Sequence, residues 1–371
     1  MSTSQAARIA SGNPGFAFHV EHVPSLSAAS RCALKQVKSG SDSDPPAMAE
    51  KSDWQFPAEM RPRPEDWRFD LDGTLDAVVQ LRAEIPEDAF TAQILGTERV
   101  GSGVVIRDDG LILTIGYLIT EASTIWLTSN KGVVVPAFPL AYDQATGFGL
   151  VQPLGKLGQR PLARGSAASC RIGENVVIAG HGGRARALRA TVFAKREFAG
   201  YWEYLLDEAI YTAPAHPQWG GAALIGSDGK LLALGSLLVQ EKVDAGMLQG
   251  NMLVPIDLLE PILEDLLKLG RSRREPRPWL GMYTTEAGAK LVVAGLAPGG
   301  PAERAGVKVG DIIVEVAGEK PSSLANLWRR IWRLGPCGTV VPLKLLRKSA
   351  LMDARLHSAD RNDFLKKPHL H

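Results

Sequence analysis

Short apolar runs separated by polar turns dominate the first two thirds of the chain. Residues 103–106 and 111–114 are two such runs, and an Asp-Gly pair lies in the turn between them. The same arrangement recurs between residues 222–225 and 231–234. An Asp-Gly pair between two apolar runs is a strong signal for a β-hairpin. The regular spacing therefore predicts an all-β sandwich or a pair of β-barrels over residues 76–270.

A helical period appears at the end of this β-rich region. Between Pro255 and Leu269, leucine and isoleucine recur at the spacing of an amphipathic helix. Asp257 near the start and Gly270 after the end match helix start and stop signals. The charged, proline-bearing stretch 271–278 then predicts a linker.

Residues 279–347 predict a second, smaller α+β unit. The apolar pattern gives it strands at 290–293, 311–316 and 340–346. Two helices are expected, one at 301–304 and one at 322–334. Ser322 or Ser323 is the expected N-cap of the longer helix, because a serine hydroxyl can accept a hydrogen bond from a free N–H of the first turn.

The segments outside these two units lack a clear strand or helix pattern. Residues 1–50 are serine-rich and poor in large apolar groups, which predicts a disordered tail. In residues 51–75, tryptophan and phenylalanine alternate with prolines, which predicts an extended segment. Its aromatic rings are expected to dock either on their own domain or between subunits. Residues 348–371 are expected to form a C-terminal tail.

Composition and charge exclude several classes of protein. Of the 371 residues, 45% are hydrophobic, and the formal net charge is +2, so a basic nucleic-acid-binding or polybasic membrane protein is not expected. No apolar run is long enough to span a bilayer, and no continuous apolar leader opens the chain, which predicts a cytoplasmic location. The widely separated Cys32, Cys170 and Cys337 predict neither a disulfide framework nor a zinc ribbon. No metal or other cofactor is expected.

A family resemblance covers residues 76–347. Residues 278–282 and the Gly-rich stretch 297–313 make the smaller unit resemble a PDZ domain. Residues 101–114, 143–150 and 220–224 make the preceding unit similar to the trypsin-like protease domain of the HtrA family. The resemblance implies a mostly β chain, with a trypsin-like double β-barrel followed by an α+β PDZ domain.

The positions of the catalytic triad depart from the family pattern. The resemblance places the family's histidine at Tyr117, its aspartate at Gly147 and its nucleophilic serine at Gly220. Glycine carries neither a hydroxyl nor a carboxylate, and the reference pKa of tyrosine, about 10, makes it a poor base at neutral pH. Gln218 and Trp219 also alter the loop that forms the oxyanion hole in the family. No catalytic residue is therefore expected at these positions.

The alternative is a substitute triad that other residues of the chain would form. His181, His216, Ser227 and Ser236 are the nearest candidates in sequence. The pattern favours structural roles in loops and turns for them, because nothing places a serine on the strained turn that presents a nucleophile.

The PDZ resemblance implies a groove that adds a peptide as a strand and captures its carboxylate on backbone N–H groups. The resemblance assigns carboxylate capture to the loop Trp279-Leu280-Gly281-Met282. The other wall of the groove is the helix 322–334, where the apolar positions serve either the peptide pocket or the core. The candidates on this helix are Leu324, Leu327, Trp328 and Ile331.

Two functions remain open at this level. The first is a catalytically inactive HtrA-like protein that binds peptides or protein C-termini as a scaffold or regulator. The alternative is an active serine endopeptidase of protein quality control with displaced catalytic residues. The family resemblance also implies a homo-oligomer, with a trimer as the expected form, assembled through N-terminal segments.

Overall fold

The structure, a computed structural model, describes residues 17–20, 54–243 and 246–367. The predicted disordered tail, residues 1–50, lies outside the described residues except for 17–20, which form strand β1 (Ala17–Val20) and so correct the prediction there. No helix in this described part of the chain is long and apolar enough to cross a membrane.

Six antiparallel strands close into a first barrel. The predicted Asp-Gly turn joins the second and third of these strands along the chain, and Gly110 supplies the positive φ of 84° that this turn needs. Aliphatic side chains from all six strands fill the interior. The strands are β2 (Val78–Glu84), β3 (Glu98–Val105), β4 (Ile112–Ile115), β5 (Thr124–Thr128), β6 (Val134–Tyr142) and β7 (Phe148–Pro153). Around the barrel they follow the order β2-β3-β4-β7-β6-β5.

A second barrel follows directly. Its strands are β8 (Asn175–Ala179), β9 (Ala187–Gly200), β10 (Tyr204–Ala213), β11 (Ala223–Ile225), β12 (Leu231–Val243) and β13 (Gly246–Pro255). Strand β12 pairs with β11 on one side and with β13 on the other, and this second pairing closes the sheet. Strand β1 adds to β12 in parallel, with Ala17 opposite Leu238. The long hairpin of β9 and β10 reaches out towards the C-terminal domain.

The helices are α1 (Leu71–Leu75), α2 (Ala92–Leu95), α3 (Glu260–Leu269), α4 (Pro301–Arg304) and α5 (Leu324–Arg333). Helix α3 lies within the predicted range and ends at Gly270, whose φ is 69°. Asp257 is not its N-cap, because its carboxylate accepts hydrogen bonds from Ser166 and from Ala167 N–H. Ser323 caps α5 by accepting a hydrogen bond from Asn326 N–H at 3.0 Å.

The aromatic segment 51–75 is less extended than predicted, because it contains α1 and two 3₁₀ turns. It docks on its own domain: Phe56 is buried, its N–H donates to Ala185, and its ring lies 5.1 Å from that of His216. Of the two docking modes expected from the sequence, the described chain displays the one within the domain.

The C-terminal domain is a five-stranded antiparallel sheet in chain order, with α5 packed against it. Its strands are β14 (Met282–Ala287), β15 (Lys290–Leu296), β16 (Ile312–Val316), β17 (Val340–Arg347) and β18 (Ala350–His357). The predicted tail 348–371 is wrong for its first half, since β18 pairs with β17 along its whole length. Leu356 of that strand is fully buried and belongs to the domain core.

The chain after β18 returns to the start of the C-terminal domain and to the first barrel. Ala359 exchanges two backbone hydrogen bonds with Trp279, at 2.9 and 3.0 Å. The ring of Phe364 lies 4.7 Å from that of Trp279 and 5.9 Å from that of Phe90. Lys366 N–H then donates to Glu121 of the first barrel at 2.8 Å. The two domains are therefore joined by this segment as well as by the linker 271–278.

Candidate functional site

The structure brings the three predicted triad positions together where the two barrels meet. Tyr117 lies in the 3₁₀ turn that follows β4, and Gly147 lies just before β7. The two turns touch, because Gly116 N–H donates to the Gly147 carbonyl at 2.7 Å. Gly220 comes from the second barrel, and a Cβ atom built on it would lie 2.9 Å from the Tyr117 hydroxyl. The tyrosine therefore fills the space that a side chain at position 220 would need.

The Tyr117 hydroxyl has a structural partner. It donates to the carbonyl of Ser236 at 2.9 Å. Burial raises the pKa of this hydroxyl above its ordinary value, so it stays protonated at neutral pH. The Tyr117 carbonyl is fixed as well, by the buried guanidinium of Arg99 at 2.6 Å. The residue at the histidine position is therefore a hydrogen-bond donor in the core and cannot serve as a general base.

The position of the aspartate holds no carboxylate. Gly147 has a φ of +81°, and a Cβ atom built on it would lie 3.0 Å from the Tyr204 hydroxyl. The nearby carboxylate of Asp143 accepts hydrogen bonds from the N–H and hydroxyl of Thr146, both at 2.8 Å. Asp143 thus holds the turn in shape, and this turn supplies no partner for an imidazole.

Several backbone groups of the loop around Gly220 are paired within the protein. Gln218 N–H donates to Nδ1 of His216 at 3.1 Å. The Gly220 carbonyl accepts from Ser102 N–H at 2.8 Å, and Gly221 N–H donates to Gly235 at 2.9 Å. An oxyanion hole needs N–H groups that are free to meet a developing charge. Since the Gln218 N–H donates to the His216 imidazole, it is not free to stabilise an oxyanion.

His216 is a structural residue in this arrangement. Its Nδ1 accepts from Gln218, so its Nε2 carries the proton and donates to the Arg186 carbonyl at 2.8 Å. Burial lowers the pKa of His216 to about 4, against the smaller effect of these two backbone contacts. The imidazole therefore stays neutral and is occupied at both nitrogens.

The other candidates for a substitute triad are also separated. His181 meets Ser102 through its backbone N–H at 3.2 Å and not through its ring. The Ser227 hydroxyl donates to Glu174 at 3.1 Å. Ser236 contacts Tyr117 through its backbone carbonyl and not through its hydroxyl. Across residues 54–243 and 246–367, no hydrogen bond joins a serine hydroxyl to a histidine ring.

The described residues also contain no group of three or more His, Cys, Asp or Glu that could hold a metal ion. Cys170 is buried, and burial raises the pKa of its thiol to about 11, so it is not a reactive thiolate.

The predicted peptide-binding residues lie on the loop 279–282 and on helix α5, the two sides that the resemblance gives to the peptide groove. Most of their side chains are buried in the core of the C-terminal domain. In the described structure they are therefore core residues, and they do not line an exposed pocket. The buried members of this core are Leu280, Met282, Leu324, Leu327, Trp328 and Ile331. Trp279 packs on Phe364 outside that core, and Gly281 has the positive φ of 68° that lets the loop turn.

The backbone of the loop 279–282 forms a nest for a carboxylate, and the side chain of Glu203 occupies it. Leu280 N–H donates to one carboxylate oxygen of Glu203 at 2.9 Å, and Met282 N–H donates to the other at 3.0 Å. Glu203 is 6% exposed. Burial raises its pKa to about 7, and the N–H groups of Met282, Leu280 and Gly281 act in the opposite direction.

Sequence reasoning did not find Glu203. It lies at the tip of the β9–β10 hairpin, in the other domain, 77 positions before the first residue of the nest that it contacts. The one local signal is the turn itself: Tyr201-Trp202-Glu203 contains none of the residues that usually make tight turns, and Glu203 has a φ of 60°.

Comparison with known proteins identifies both domains. Residues 101–234 match the trypsin-like peptidase domain family, and residues 292–347 match the PDZ domain family. These matches confirm the predicted fold class, a trypsin-like double barrel followed by a PDZ domain.

Several serine proteases are similar to most of this chain. The chain is 22% identical over 336 residues to the serine protease Do-like HtrA of Bacillus subtilis (strain 168), covering 81% of this chain and 74% of that protein. It is 26% identical over 317 residues to the periplasmic pH-dependent serine endoprotease DegQ of Escherichia coli (strain K12), covering 77% and 68%. A solved serine endoprotease from Yersinia pestis is 21% identical, with a TM-score of 0.46, and the alignment covers 79% of this chain and 98% of that one.

Steric coupling between positions 117 and 220 can be measured directly. Gly220→Ala should destabilise the protein by about 1–2 kcal/mol, because the new methyl group meets the Tyr117 hydroxyl at 2.9 Å. In a Tyr117→Phe background, which removes that oxygen, the same change should cost clearly less. Urea unfolding of the four proteins of this double-mutant cycle gives the coupling energy. Equal costs in both backgrounds would contradict the described contact.

The neutral, buried His216 should make stability sensitive to acid. Its folded-state pKa of about 4 lies below its unfolded value of about 6.5, so the unfolded chain takes up the proton first as the pH falls. Stability present above pH 6.5 should decline towards pH 4, by on the order of 3 kcal/mol for this group. Denaturant unfolding across this range should be less pH-dependent for His216→Gln than for the parent. The exposed His357→Gln variant is the control and should follow the parent.

Proposed function

Because this chain belongs to the HtrA family, with a trypsin-like peptidase domain followed by a PDZ domain, we propose that it is a catalytically inactive member of that family. It binds peptides or protein C-termini through its PDZ domain. In this role it acts as a scaffold or regulator and not as a protease.

The observation that carries this proposal is the occupation of the former cleft by Tyr117. Its hydroxyl is engaged with Ser236 and lies against Gly220, where the family has its nucleophile. Peptide hydrolysis by this route needs an activated hydroxyl, a base and a carboxylate to orient the base. Tyr117, Gly147 and Gly220 supply none of these three groups.

The binding half of the proposal is supported by the nest at Leu280 and Met282. Both N–H groups converge on one carboxylate, which is the chemistry that captures the C-terminus of a peptide. The adjoining edge of β14 provides backbone groups for an added strand.

The competing function is an active serine endopeptidase with displaced catalytic residues. The similar proteins favour it, since they are named as serine proteases. It requires a serine, a base and a carboxylate to converge outside the positions 117, 147 and 220. The hydrogen bonds of His181, His216 and Ser227 in the described chain do not form such a group.

Labelling with a fluorophosphonate probe distinguishes the two functions. We expect no labelling of the full chain and no cleavage of unfolded casein, because no serine is hydrogen-bonded to an imidazole in the described chain. Trypsin treated in parallel verifies the probe and the substrate. The triple variant Tyr117→His, Gly147→Asp, Gly220→Ser is the matched comparison for the natural site. Probe attachment to one serine, together with casein cleavage, would contradict the proposed inactivity.

We further infer a homo-oligomer, with a trimer as the expected form. Besides family membership, exposed apolar side chains on the first barrel support this inference. Trp126 of β5 is 40% exposed and Val134 of the adjacent β6 is 56% exposed, and the strand register places them on the same face. Light scattering on the full chain should give about three times the monomer mass. A mass equal to that of one chain would refute the assembly.

A further inference from the structure

The tip of the β9–β10 hairpin lies in the PDZ groove. Besides the Glu203 carboxylate in the nest, the Tyr201 carbonyl accepts a hydrogen bond from Thr284 N–H at 2.9 Å. On the opposite wall, Trp328 donates its indole N–H to the Gly200 carbonyl at 3.0 Å. Residues 200–203, here called the hairpin tip, therefore contact the loop, the strand and the helix that line the groove.

One backbone hydrogen bond and one side-chain contact place the hairpin tip along the edge of β14. Met282 N–H donates to the side-chain carboxylate of Glu203. Two positions further along β14, Thr284 N–H donates to the carbonyl of Tyr201, which lies two positions before Glu203. Residue numbers rise along one segment and fall along the other, so the hairpin tip runs antiparallel to the start of β14. A side-chain carboxylate at the end of this segment occupies the place of a peptide's C-terminal carboxylate.

We propose that the hairpin tip is an internal ligand of the PDZ groove, in which the Glu203 side chain replaces the carboxylate of a bound C-terminus. A peptide can bind only after the hairpin tip has withdrawn. This inference deepens the proposed peptide-binding function and rests on it. It also defines the partner chemistry: an extended segment that ends in a free α-carboxylate and that can displace a carboxylate already in place.

Contacts outside the groove hold the hairpin tip in register. Arg329, on the exposed side of α5, forms ion pairs with Glu197 of β9 and Asp207 of β10. These two carboxylates flank the hairpin tip on its two strands, so one guanidinium of the PDZ domain bridges both. Exposed ion pairs contribute little individually, and here they orient the hairpin more than they stabilise it.

The backbone of Glu203 is also unusual for a docked side chain. Its φ of 60° is in the left-handed region, which a glutamate rarely adopts. Such conformations persist where surrounding contacts determine them. The two N–H donors from Leu280 and Met282 are the contacts that do so here.

Release of the internal ligand can be measured on the full chain. The probe is a fluorescent library of hexapeptides with free C-termini, and the same peptides with C-terminal amides serve as the ligand control. Glu203→Ala removes the carboxylate and should tighten the apparent Kd of bound free-acid peptides about tenfold or more, because the open state becomes more populated. Glu208→Ala is the matched variant: it removes a carboxylate from the same hairpin, where Glu208 is exposed and pairs with Lys195. It should bind as the parent does.

Two further measurements make the test independent of any single variant. Arg329→Ala leaves the nest intact and should tighten binding by a smaller factor, about twofold to fivefold. Amide hydrogen exchange at Leu280, Met282 and Thr284 without peptide should accelerate about tenfold in Glu203→Ala and stay unchanged in Glu208→Ala.

The outcomes separate this inference from the proposed function. Equal peptide affinity and equal exchange in the parent and in Glu203→Ala would overturn the internal ligand, while peptide binding itself would remain. Faster exchange in Glu203→Ala without binding of any peptide would support the internal ligand and refute the peptide-binding function. Tightening by Glu208→Ala as large as that by Glu203→Ala would also overturn the inference, because the effect would then be one of hairpin charge.

Discussion

The pairing of buried backbone polar groups is the constraint on which both regions of interest depend. A buried N–H without a partner is costly, so enzymes and binding modules that keep N–H groups for a ligand leave them accessible. In this protein, N–H groups of both regions are paired internally. Gln218 donates to His216 at the former oxyanion loop, and Leu280 and Met282 donate to Glu203 in the nest. The first pairing lies within one domain, whereas the second joins two domains, and in our proposal a ligand takes its place.

In the proposed inactive protein, the three triad positions are repacked and not simply emptied. Tyr117 is larger than the histidine of the family, and it fits because position 220 has no side chain and because Ser236 offers a carbonyl. Arg99 fixes the turn beneath it through the Tyr117 carbonyl. Each replacement thus depends on the others, and restoring one catalytic residue alone would meet a site that is already filled.

Features that depend on a few neighbouring residues are predicted well from the sequence. The Asp-Gly hairpins, the end of α3 at Gly270 and the serine cap of α5 follow from turn and capping chemistry, and the structure contains them. Strand β18 was missed because its side chains are mostly exposed and its pairing partner, not its own pattern, makes it a strand. The role of Glu203 could not be predicted, since it depends on a contact between domains that no spacing along the chain encodes.

The return of the chain after β18 has a consequence for competition in the groove. The contacts of Ala359, Phe364 and Lys366 hold the PDZ domain at a second point besides the linker. The domain therefore stays next to the hairpin when the hairpin tip leaves the nest. Glu203 then stays near its nest at a high effective concentration, which for short tethers is on the order of millimolar. A free peptide at micromolar concentration competes against that local excess. The second attachment would therefore set the peptide concentration at which binding begins. C-termini that are scarce or of low affinity would not displace the hairpin tip.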